Sequence, residues 1–243
     1  MARAARSTCA PLACPGEADY PPRPVVRRVR QHVNPLSSRY IEPRAQPIHA
    51  PPELGADPRV EVELGCADAQ FSFQLARARP STWVVGLEIR EKVVAINARR
   101  AAREGLRNLT FGYVNLNVDL DRVLAPRSVD AFHLLFPDPW FKAKHHKRRV
   151  VDPWMLEVVA SRLRPGGELH VASDVFEVAI EAMAEIEDPS ALPLGLRNLA
   201  GAWRFWRGNP FPAQSRREDT TLARGQRVWR MRYRLYSSST AGR

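Results

Sequence analysis

From Val60 onward, short apolar runs alternate with longer stretches in which apolar residues recur every three or four positions. The runs at 60–64, 83–88, 108–113, 129–136 and 168–173 have the length and composition of buried strands. Between them, 71–79, 91–104, 152–163 and 175–187 carry helical spacing, and Pro165-Gly166-Gly167 supplies the stop for the third helix. Strands alternating with helices of this length specify an α/β fold with a doubly wound, mostly parallel sheet. The segment 227–236 alternates with period two and is expected to close one edge as an antiparallel strand. Residues 1–57, dense in Pro, Ala and Arg, read as a flexible tail followed by an extended arm. Residues 58–236 read as one domain and 237–243 as a disordered tail.

At 243 residues the chain can bury one substantial core without needing a second. Lys and Arg number 37 against 26 acids, a net charge of +11. The excess is concentrated: 142–149 carries five cations and no acid, and 203–243 carries ten arginines against Glu218 and Asp219. Such clustering is the footprint of a polyanionic partner, nucleic acid above all. Cys9, Cys14 and Cys66 form neither an even disulfide set nor a metal-ligand spacing, and His145 and His146 lack partners at ligand spacing, so no metal is expected. With no signal-peptide core and no apolar run of ~18 residues, the expectation is a cytoplasmic protein with no membrane partner.

The candidate chemistry lies where strands end, because ligands of open α/β sheets bind beyond the carboxyl ends of the strands. Gly65 follows the first strand and allows a ligand close to the backbone, with Glu63 just before it. Glu88 ends the second strand about twenty residues on, the placement of a ribose-binding carboxylate. The spaced glycines of a nicotinamide-binding turn are absent, since Ala67, Ala69 and Gln70 follow Gly65. A cofactor with ribose but no phosphate, S-adenosylmethionine, fits better. Asn115, with Asn117 as a near competitor, stands past the third strand where it can meet an adenine edge. Asp174 ends the fifth strand. Asp138, in Phe136-Pro137-Asp138-Pro139-Trp140, is bracketed by prolines that fix its backbone direction and is followed at once by the basic string. A plain turn is the competing reading of that Asp.

The proline-bracketed Asp with its basic follow-on resembles the bacterial type of tRNA (guanine-N7-)-methyltransferase. So do Arg30-Gln31-His32-Val33-Asn34-Pro35-Leu36, Gly86-Leu87-Glu88, Ala172-Ser173-Asp174 and Ser215-Arg216-Arg217-Glu218, across 27–236. The resemblance implies a Rossmann-like, S-adenosylmethionine-dependent enzyme that methylates N7 of a guanosine in the variable loop of tRNA. Glu63, Gly65, Glu88, Asn115 and Asp138 would line the cofactor site, and Asp138 would also be catalytic. Lys142, Asp174, Ser215 and Glu218 would bind substrate, and Lys144, His145, His146, Lys147, Arg148 and Arg149 would contact RNA. The family usually has glycine where Ala67 and Ala69 stand and threonine where Ser215 stands. A monomer is expected, a homodimer being the alternative. Two other readings stay open: an RNA-binding protein of the same fold without catalysis, and an amino-group nucleic-acid methyltransferase.

Overall fold

In the computed structural model, residues 33–139, 149–188 and 194–236 are described. The chain divides into Met1–Gln31, which lies outside the described residues, and His32–Arg243. The second unit is built on a seven-stranded sheet in the order β3-β2-β1-β4-β5-β7-β6. β1 (Arg59–Leu64), β2 (Thr82–Glu88), β3 (Leu109–Tyr113), β4 (Val129–Leu135) and β5 (Leu163–Ser173) pair in parallel. Every residue of β2 is buried, as the near-continuous apolar sequence of a strand covered on both faces requires. α1 (Gln70–Ala78) follows β1, α2 (Glu91–Arg103) follows β2, α3 (Pro153–Arg162) precedes β5 and α4 (Phe176–Glu187) follows it. Asp152 caps α3 by accepting from the Met155 amide at 2.8 Å, with Pro153 in its first turn.

Four details differ from the sequence expectation. β5 does not wait for Pro165-Gly166-Gly167 to pass: it pairs from Leu163, slips register, and resumes at Glu168 opposite Ala131. β7 (Trp229–Leu235) is antiparallel to β5 but is not the edge, because the three-residue β6 (Leu196–Asn198) pairs along its outer side. The period-two pattern of β7 comes from two different burials. Met231 and Tyr233 enter the core, while Arg232 and Arg234 pair with Glu168 on β5 across the other face. A fifth helix, α5 (Arg216–Ala223), was also not foreseen.

The fourth difference is the arm. Residues 33–57 are fastened to the domain rather than merely extended. Asp119 is fully buried and accepts from the amides of Arg44 and Ala45 through Oδ2, both at 2.8 Å, and from the amide of Asn115 through Oδ1 at 2.7 Å. Ala45 joins the main core, and Ile48, Ala50 and Leu54 pack against it. No periodicity within the arm could announce this, because its partners lie more than seventy residues away in sequence.

Candidate active site

The turn after β1 is held by its neighbours rather than by its own side chains. The amides of Gly65 and Cys66 both donate to the Leu87 carbonyl, at 2.9 and 2.8 Å. Gly65 has φ +76°, and a methyl group added there would come no nearer than 3.9 Å to another residue, Leu116. The backbone is therefore bare on that side. Ala67 (φ 46°) and Ala69 (φ 58°) both sit in the left-handed region, which costs an L-residue roughly 1–2 kcal/mol. The Ala67 conformation is enforced at both its polar groups: its amide donates to Glu88 Oε2 at 3.0 Å and its carbonyl accepts from Asn97 on α2 at 2.8 Å.

Glu63 lies beneath this turn and is buried. Its Oε2 accepts from the backbone and hydroxyl of Ser72, so it satisfies an amide of the first turn of α1 that has no partner within the helix. Burial pushes its pKa up to about 8, against the pull of the Ser72 hydrogen bonds. Glu88, at the end of β2, accepts from the Arg90 backbone amide at 3.0 Å and from the Arg90 side chain at both carboxylate oxygens, each at 2.9 Å. Arg90 was not singled out from the sequence. The signal was its spacing, since residues two apart at a strand end project to the same side.

Asn115 serves a different neighbour from the one its position suggested. It is fully buried, and its amide nitrogen donates to the carbonyls of Pro35 and Tyr40 at 2.8 and 2.9 Å while its oxygen accepts from the Asn117 amide. Both amide protons are thus used on the arm. Asn117, the competitor, donates to the Arg149 carbonyl at 2.7 Å.

Beyond β4 the chain turns at Phe136, whose φ of 54° is rare for a bulky residue that precedes a proline. Its amide donates to the Ala172 carbonyl on β5 at 2.7 Å, which ties the strained turn to the next strand. Asp138 follows, half-buried, and its charge acts on the Arg90 guanidinium. One residue that was missed links the expected ones: Arg90 holds Glu88, Glu88 holds the turn after Gly65, and the Asp138 charge adds a small pull on the same guanidinium.

Asp174, at the end of β5, is engaged by α5. Its Oδ2 accepts from Arg217 at 2.7 Å and from the Thr221 hydroxyl at 3.2 Å. The Ser215 hydroxyl caps α5 by accepting from the Glu218 amide at 3.2 Å, the Ser-x-x-Glu pattern of a helix start. The buried Glu218 carboxylate is ion-paired with Arg230 of β7. The start of the same segment is tied to α1 and to the turn before it, because the Gln214 amide donates to Gln74 at 2.8 Å and Arg216 meets Asp68 at 2.6 Å. Ser215 and Glu218 thus position a helix that spans from the β1 turn to Asp174.

Lys142, Lys144, His145, His146, Lys147 and Arg148 lie outside the described residues. Arg149 is described and pairs with Glu181 on α4 at 2.8 Å. Among the described residues no group of three or more His, Cys, Asp or Glu could hold a metal ion.

A buried polar layer under β4 and β5 also escaped the sequence reading. His133 and His170 are cross-strand neighbours with rings stacked 5.1 Å apart, and the edge of Phe211 meets both. His133 meets Glu61 at 2.9 Å and His170 meets Glu168 at 3.2 Å. Burial pushes the Glu61 carboxyl up, but His133, Arg59 and Arg79 outweigh it and hold the pKa at about 2. Burial pulls His170 down to about 4, with Glu168 opposing.

A family model described as a putative methyltransferase matches residues 57–194. Among curated proteins, a tRNA (guanine-N(7)-)-methyltransferase of Thermosynechococcus vestitus is 35% identical over 223 residues, 87% of this chain and 96% of the relative. One from Prochlorococcus marinus (strain MIT 9313) is 38% identical over 210 residues, covering 84% and 87%. Among solved structures, the 16S rRNA methyltransferase KamB aligns with a TM-score of 0.53 at 20% identity, over 76% of this chain and 92% of that one, a likeness of fold.

Proposed function

Because the chain belongs to the tRNA (guanine-N(7)-)-methyltransferase family, we propose that it transfers a methyl group from S-adenosylmethionine to N7 of a guanosine in the variable loop of tRNA. The observation that carries the assignment of the site is the two-point grip of Arg90 on Glu88 at the end of β2, beside the turn at Gly65, with the Asp138 charge acting weakly on the same guanidinium. The bare backbone at Gly65 fits a cofactor lying against it, and a side chain there would fill that space. Gly65, Glu88 and Asp138 hold the cofactor, which supplies an electrophilic methyl group on sulfur when bound. Glu63 acts through α1, whose start it fixes, and Asn115 acts through the arm.

The residues have little chemistry to perform. Guanine N7 already bears a lone pair, so a bond to the methyl carbon forms as the carbon–sulfur bond breaks, and no proton leaves. The base gains a positive charge. Asp138 offsets that charge, and Asp174 orients the base by accepting from its ring and amino hydrogens through Oδ1, since the bonds from α5 end on Oδ2. Alignment of the reacting atoms supplies most of the acceleration, up to ~7–11 kcal/mol in well-oriented systems. Lys142 and the basic residues through Arg149 hold tRNA phosphates.

Nucleoside mass spectrometry of tRNA incubated with the protein and isotopically labelled S-adenosylmethionine tests the assignment. Labelled 7-methylguanosine is the expected product. A label on an exocyclic amine would establish the amino-group reading, and tRNA binding without incorporation the non-catalytic one.

A further inference from the structure

The ten arginines of the C-terminal segment are not all absorbed by the site above. Residues 204–207 read Arg-Phe-Trp-Arg, and with the start of β7 and the end of α5 they line a cavity of about 970 Å³. Phe205, Trp206 and Trp229 form its aromatic wall, Leu222 its apolar floor, and Arg204, Arg207, Arg227 and Arg230 its charge. Among the described residues, no acidic residue lines it. Arg230 is committed to Glu218, but among the described residues no carboxylate pairs with Arg204, Arg207 or Arg227, and all three are exposed. Three exposed guanidiniums around one cavity without a counter-charge create a positive field that favours an anion there.

The rings are arranged for a flat partner. The Arg227 guanidinium lies over the Trp229 ring at 4.0 Å, and the same ring is packed by Phe205 and Phe176, at 4.9 and 4.8 Å between centroids. Trp229 is thereby fixed, and Arg227 becomes a planar cationic platform backed by an indole. Unstacked bases of RNA are recognised on such surfaces, stacked on aromatic rings or guanidinium planes with the phosphate held by neighbouring cations. The volume lies near the top of the roughly 300–1,000 Å³ range of small-ligand clefts, enough for a nucleotide with its phosphate.

We propose that this cavity is a second RNA subsite, which takes one unstacked nucleotide of the substrate, its base on Arg227 and its phosphates on Arg204 and Arg207. Its position links it to the catalytic end. Thr221 of α5 touches Asp174 while the next residue, Leu222, lines the cavity, and Arg230 of the cavity wall holds Glu218 of the same helix. The cavity and Asp174 thus meet adjacent residues of one helix, Leu222 and Thr221. The target guanosine and a second nucleotide splayed from the same tRNA would grip α5 from both sides. This subsite rests on the proposed RNA substrate but not on catalysis.

The test uses the full chain, with tRNA affinity measured by filter binding in the absence of cofactor. Arg204→Ala/Arg207→Ala/Arg227→Ala should weaken tRNA binding by about tenfold or more and lower the slope of log affinity against log salt by about two units. It should raise KM for tRNA in proportion while kcat falls less than about twofold. Arg227→Lys keeps the charge and loses the platform, so it should keep the salt slope and still lose affinity by about fivefold. A triple variant with unchanged melting temperature and unchanged tRNA affinity would overturn the subsite, as would loss of binding to polyglutamate in place of tRNA, which would make the cavity a protein-docking site. If the unmodified protein binds tRNA without methylating it, the catalytic assignment falls and the affinity measurements still decide the subsite.

Discussion

Arg90 grips both oxygens of Glu88, with 2.9 Å from Nε to Oε1 and 2.9 Å from a terminal nitrogen to Oε2, while Asp138 acts on the same guanidinium from the end of β4. The hydrogen bonds to Glu88 are the main cause of a guanidinium pKa raised above its ordinary value, and the Asp138 charge adds to it. A two-point grip leaves the carboxylate one orientation, and the cation keeps two nearby carboxylates from repelling each other. Arg90→Ala should therefore weaken S-adenosylmethionine binding by about tenfold, about 1.4 kcal/mol. Arg90→Lys, a point charge without the fork, should fall between. Isothermal calorimetry reads both, and an unchanged Ala variant would remove Arg90 from the site.

Asp138→Asn preserves the size of the side chain and the proline bracket while removing the charge that offsets a methylated base. Turnover at saturating tRNA should fall by about two to three orders of magnitude, with tRNA affinity retained. A turn residue would behave in the opposite way, losing melting temperature and keeping its rate. Single-turnover methylation compared with thermal unfolding separates the two.

The basic rim should show itself in salt. Lys147→Ala/Arg148→Ala should lower the salt slope of tRNA binding by nearly one log unit for each phosphate released, without changing cofactor affinity. Arg149→Ala alone should lower it less, since that guanidinium is partly satisfied by Glu181. Equal effects from all three positions would mean that the Glu181 pair opens when RNA binds.

Glu63 gives a stability signature in pH. Its folded pKa of about 8 lies above the ordinary 4.5, so between these values the folded protein keeps a proton that the unfolded chain has released. The contribution is present in full below about pH 4.5 and is lost as pH rises toward 8, at no more than about 1.4 kcal/mol per unit. Glu63→Gln, which still accepts from Ser72, should flatten this decline and be the more stable protein at pH 8.5. Melting curves of both proteins from pH 5 to 8.5 check the sign.

Ala67 and Ala69 hold left-handed backbone that glycine adopts freely. Relief of that strain, offset by the added freedom of the unfolded chain, should leave each Ala→Gly variant more stable by up to about 1 kcal/mol. Chemical denaturation measures it directly. A loss of stability at either position would mean that the methyl group packs favourably enough to repay the strain.

What could be read from the chain was what depends on neighbours in sequence. The apolar runs of β1 to β5 and the helices between them follow from local periodicity, and so do the polar residues that stand at strand ends. α5 was missed because Arg216-Arg217-Glu218-Asp219-Thr220-Thr221 has almost no apolar stripe. Its one local signal, the Ser215-x-x-Glu218 start, was read as a substrate element. β6 is too short, at three residues, to carry a pattern. The grip of Arg90 on Glu88 lay within reach of spacing arguments. The use of Asn115 on the arm did not, because its acceptors lie 75 and 80 residues earlier.

The carboxylate of Asp119 has a consequence for how the molecule opens. Three amides, those of Arg44, Ala45 and Asn115, share one buried side chain, and the Asn115 side chain in turn ties down Pro35 and Tyr40. These bonds run through two fully buried side chains, Asp119 and Asn115, so the arm and the corner beyond β3 are expected to exchange their hydrogens together. An event that lifts the arm would also release the backbone at Asn115, two residues past the end of β3, and so would reach the ligand edge of the sheet from a segment that precedes its first strand.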